Sequence, residues 1–78
     1  MKLDHFLRNS DWSEDKLGAE VGVAGSTISR IRTGARDASL ALAIAIELVT
    51  DREVLVEDLP LSDFSRRWWL RWSEWAGV

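Results

Sequence analysis

The sequence predicts an all-α domain of four to five short helices, and three observations point that way. Apolar residues recur at spacings of three and four, as they do along one face of a helix. Residues that start helices (Ser13, Asp37 or Ser39, Ser62) and glycines that end them (Gly22, Gly34, Gly77) bracket those stretches. At 78 residues the chain has room for one core and not for two.

Each element follows from its local pattern. The first helix is expected over Lys2 to Arg8, where Leu3, Phe6 and Leu7 share a face, and "NSD" breaks it. Ser13 then caps "EDKLGAEV". Glu14 and Asp15 occupy its first turn, where the helix dipole favours acids, and Leu17 and Val21 are its apolar pair. Gly22 ends that helix in the left-handed conformation glycine tolerates. Residues 25–33 make a third short helix closed by Gly34. With Ile28 and Ile31 inward, Ser26, Ser29, Arg30 and Thr33 face outward. Asp37 or Ser39 caps a fourth helix running to about Val49. "EVLV" reads as a short extended piece and "EDLP" as a turn. Ser62 caps a last helix, "DFSRRWWLRWSEWA", with Gly77 after its end.

Composition narrows the function classes. With 46% hydrophobic and 29% charged residues, the chain does not read as disordered. It has no cysteine, which excludes disulfides and thiolate metal sites and fits a reducing compartment. "MKLDHFLRNSDW" has no apolar core of the signal-peptide type, and "LALAIAI" falls far short of the roughly 20 residues that cross a bilayer. A soluble, cytoplasmic protein is expected. The net charge of −3 argues against a strong non-specific polyanion binder. That charge is unevenly placed, however. Residues 1–23 carry three basic and five acidic side chains, whereas residues 24–36 carry three arginines and no acid.

This basic segment lies in a recognisable setting. Two short helices joined by a tight glycine-containing turn, the second exposing polar groups and arginine, describe a helix-turn-helix. The stretch "SEDKLGAEVGVAGSTISRIRTGAR" resembles the DNA-binding domains of Cro and lambda-repressor-like proteins, the XRE family, through Leu17, Gly22, Val23, Thr27, Ile28, Ser29, Ile31 and Gly34. Residues 1–59 are also similar to short Cro-type and YdaS-like phage regulators, and the likeness stops near Pro60. The resemblance implies a lambda-repressor-like bundle carrying an extra C-terminal helix. It places Gly25, Ser26 and Arg30 where such proteins read base edges, and Thr27, Ser29 and Arg36 where they touch phosphates. Chemistry agrees for Arg30, since a guanidinium can bridge guanine O6 and N7 in the major groove. The chain departs from the family at three positions. Ala24 replaces a Ser/Thr cap, Gly18 replaces an alanine, and Glu14 stands where a phosphate-contacting glutamine is common. The first two each cost about 1 kcal/mol of local helix stability.

Catalysis has no candidate residues. His5 is the single histidine and has no partner in a ligand pattern. The adjacent acids of "EDK" and "VEDL" diverge by about 100° on a helix and cannot act as a general acid/base pair. No glycine-rich phosphate loop appears, so neither a cofactor nor a small-molecule substrate is expected.

The tail is the second feature. Four of the five tryptophans fall in "WWLRWSEW", and Phe64, Trp68, Trp72 and Trp75 share one stripe. On the fourth helix, Leu42, Ile46 and Val49 should close the core. Leu40, Ile44 and Leu48 form a second stripe on roughly the opposite side, which needs its own cover. Packing of the aromatic stripe over that face, within one chain or across a dimer, is the expected use. A membrane-surface helix is an alternative, given Arg66, Arg67 and Arg71 beside the tryptophans, and base stacking is another. The combined expectation is a helix-turn-helix segment, 1–59, followed by a Trp/Arg-rich packing or dimerisation helix, 60–78. Its function would be that of a phage-type transcriptional repressor binding double-stranded DNA as a homodimer. An antitoxin or adaptor using the tail to bind another protein is the reading from a different class.

Overall fold

Serine caps start three of the five helices in the computed structural model, which describes residues 1–76. Five α-helices follow one another: α1 (Leu3–Arg8), α2 (Glu14–Val21), α3 (Gly25–Arg32), α4 (Leu40–Val49) and α5 (Asp63–Ala76), with one 3-10 turn at Val56–Asp58 between the last two. The Ser13 hydroxyl accepts from the Lys16 N–H at 3.0 Å and starts α2. Ser39, rather than Asp37, does the same for α4 through Leu42 N–H at 3.2 Å. Ser62 starts α5 through Ser65 N–H at 3.1 Å. Gly77, expected just past α5, lies outside the described residues.

One core joins all five helices. Leu17 of α2, Ile28 and Ile31 of α3, and Ile46 of α4 are its fully buried centre. Leu3, Phe6 and Leu7 of α1 close one side, and Val54, Val56, Leu59, Leu61 and Trp69 close another. Leu61 and Trp69 come from beyond residue 59, so the two segments of the chain share this core. The Pro60 carbonyl also accepts from Ala38 N–H at 2.7 Å, tying the start of α4 to the lead-in of α5.

The extended piece expected at "EVLV" is not a strand, and no strand occurs among the described residues. Val54 and Val56 are buried, but no second extended segment lies alongside to supply ladder bonds. Side chains supply them instead. The Thr50 hydroxyl accepts from Val54 N–H (3.2 Å), Asp58 from Leu55 N–H (3.2 Å) and Glu47 from Val56 N–H (3.0 Å). Buried backbone donors need such partners whatever their conformation.

The tail departs from expectation in the roll of its helix. In a single chain the stripe of Phe64, Trp68, Trp72 and Trp75 does not cover α4: these residues are 70%, 55%, 50% and 84% exposed. The residue seated on α4 is Trp69, 9% exposed, which lies about 100° round the helix from Trp68. Its neighbours at i−4 and i+4, Ser65 and Ser73, are small and half-buried. A line of small, large, small residues lets α5 approach α4, whereas four large rings in a row hold two helices apart. On α4 itself Ala43 and Ile46 point fully inward, Leu40 and Ile44 are half-buried, and Leu48 remains 67% exposed.

Candidate nucleic-acid interface

α3 is held against α2 by two glycines with different roles. Gly22 ends α2 at φ +82°, a left-handed backbone that turns the chain toward α3. Gly18 acts by its missing side chain. A Cβ there would sit 2.6 Å from the Val23 carbonyl oxygen and 3.1 Å from Gly25 N, so the turn can lie directly on α2. The Val23 N–H closes it by donating to the Gly18 carbonyl at 2.9 Å. This close approach gives the glycine at position 18 a packing reason that outweighs its lower helix propensity.

The N-terminus of α3 carries no side-chain cap, since Ala24 has no acceptor to offer. The Asp15 carboxylate from the first turn of α2 lies against Gly25 instead and occupies the space a Cβ would need. An acid at that point complements the positive end of α3. Gly25 is accordingly half-buried under α2, and its lack of a side chain serves this contact.

Of the three arginines in the basic segment, one is committed to structure. The Arg32 Nε donates to Asp4 at 2.7 Å, and its Nη1 lies 3.4 Å from Glu14. The guanidinium bonded to Asp4 holds that carboxyl below its ordinary pKa of 3.8, with Arg8 adding to the effect. Arg32 thus bolts the end of α3 to α1 and α2. It also engages Glu14, the acid at the position where the sequence departs from the family's glutamine. Arg30 and Arg36 are exposed and have no ion-pair partner among the described residues.

These two cations share one end of α3. The Arg30 carbonyl accepts from both Ala35 N–H (2.9 Å) and Arg36 N–H (3.3 Å), with Gly34 at φ +80° making the reversal. Ser26 and Arg30, four residues apart, stand on the exposed face, while Thr27 and Ser29 are half-buried at its edges. The surface presents the Ser26 hydroxyl and the Arg30 guanidinium on α3, with the Arg36 guanidinium four residues past the end of the helix. Sequence reasoning missed the placement of Asp15 against Gly25. A glycine at a helix start, ten residues after an acid in the preceding helix, was the available signal.

No family model, curated protein or solved structure matches the chain. The likeness to helix-turn-helix regulators therefore rests on its own residues.

Proposed function

We propose that this protein is a sequence-specific regulator that binds duplex DNA as a homodimer, laying α3 in the major groove. The observation carrying this reading is the division of labour among the arginines of α3. Arg32 is neutralised by Asp4 and Glu14, whereas Arg30 stands free on the exposed face beside Ser26. In the reading, Arg30 bridges a guanine edge, Ser26 bonds a base or phosphate, and Arg36 with Thr27 and Ser29 fixes register on the backbone. One module buries too little surface for regulatory specificity, so two act on a pseudo-palindrome. Repression of phage-type genes fits the family resemblance, and a cytoplasmic setting fits the target.

The test is Arg30→Ala. A lost bidentate contact costs about 1–3 kcal/mol at one base pair per half-site. The variant should keep its helical circular dichroism and lose preference for its operator over scrambled duplex. An unchanged preference ratio would make Arg30 a bystander.

The exposed aromatic stripe of α5 favours one second reading, an adaptor or antitoxin that engages another polypeptide. Operator binding that requires that polypeptide would support it.

A further inference from the structure

Among the described residues the stripe of Phe64, Trp68, Trp72 and Trp75 is left largely uncovered, with Phe64 and Trp75 mostly exposed and Trp68 and Trp72 about half so. Beside it runs an apolar groove of about 290 Å³ between Leu40 and Ile44 of α4 and the tryptophans of α5. Exposed apolar patches of this kind mark interaction surfaces. The pattern of α5 itself indicates what fits there.

We infer that the stripe is covered by the same stripe of a second copy, with the two α5 helices packed antiparallel about a twofold axis. This rests on the homodimer reading above and specifies its interface. The stripe is close to palindromic, with steps of four, four and three residues. Reversal about Leu70 brings Trp68 level with Trp72 and Phe64 to within one residue of Trp75. A twofold makes each flank of the helix face its own copy. The flank away from α4 carries Arg67, Arg71 and Glu74, all exposed and without ion-pair partners among the described residues. Under that reversal Glu74 falls within about one residue, roughly 1.5 Å along the axis, of the level of Arg67 in the other copy. Two symmetric ion pairs follow. Arg71 lies near the axis and opposes its own copy, so its neutralisation should strengthen the pair.

The buried Trp69 Nε1 and Ser73 Oγ, on the side of α5 turned to α4, have no hydrogen-bond partner among the described residues. A second helix beside α5 would help to hold it against α4.

Self-association is measured by sedimentation equilibrium, without DNA, for the full chain, Arg67→Glu, Glu74→Arg and the double variant, with circular dichroism as the folding control. Each single swap sets like charges face to face in both halves and should weaken the dimer by about tenfold or more. The double swap recreates both pairs and should return the dimer close to its original strength. Arg71→Gln should tighten it. A double variant weaker than either single, or a chain that stays monomeric until phosphatidylglycerol vesicles are added, would overturn the inference. A dimer with the expected rescue that binds no DNA would leave this interface standing and remove the DNA reading. Operator binding by a dimer indifferent to the swaps would do the reverse.

Discussion

Gly18 shows how a single absent side chain can decide a contact. By helix propensity alone, Gly18→Ala would stabilise α2 by about 1 kcal/mol. The Cβ would meet the Val23 carbonyl at 2.6 Å, and that partner is backbone, which cannot swing aside. The expected outcome is therefore a loss of about 1–3 kcal/mol, read as a lower urea midpoint, from strain at the turn. Asp4 supplies a second prediction at this scale. Its hydrogen bond to Arg32 depresses its folded pKa below the ordinary 3.8. The resulting stabilisation is fully present above that ordinary value and is lost as pH falls through the depressed one. In Asp4→Asn this acid-linked loss should disappear, leaving a shallower decline of the urea midpoint through the carboxylate range than in the original chain. Equal pH slopes for the two proteins would detach Asp4 from the stability of the fold.

At the scale of elements, α5 is where sequence and structure diverge most usefully. Trp69→Ala should destabilise the chain by about 3–5 kcal/mol, because it empties the seat on α4. Trp75→Ala, measured below the concentration at which chains associate, should change stability by no more than about 0.5 kcal/mol, since that ring is 84% exposed. Urea unfolding of the two variants checks both. The pattern of the tail made its amphipathicity legible but not its roll, because apolar residues cover more than half of the helix circumference. Only the packing of Ser65, Trp69 and Ser73 selects the inward line. The caps at Ser13 and Ser62 and the reversal at Gly22 were legible, since each follows from local chemistry, and the cap of α4 was narrowed to Asp37 or Ser39. The burial of Val54 and Val56 without a strand was not, because their backbone partners on Thr50, Glu47 and Asp58 depend on how α4 ends. On the candidate interface, the outward phase of Ser26 and Arg30 could be read from the positions of Ile28 and Ile31. The docking of Asp15 on Gly25 depends on how α2 crosses α3.

Taken whole, the molecule measures 34 × 23 × 20 Å and carries a net charge of −3, and no described helix is long and apolar enough to cross a membrane. In the proposed reading Arg30 and Arg36, at the C-terminal end of α3, are the cations of this acidic body that are set against DNA. Two such bodies joined through α5 would present two α3 helices to one face of a duplex. The central claim is tested most directly by selecting bound sites from a pool of random duplexes with the purified full-length chain. The account predicts enrichment of two inverted half-sites with centres about 10 base pairs apart, each with a guanine contacted by Arg30, and loss of that guanine preference in Arg30→Ala. A pool that remains random after repeated selection, with the protein folded and dimeric, would contradict it.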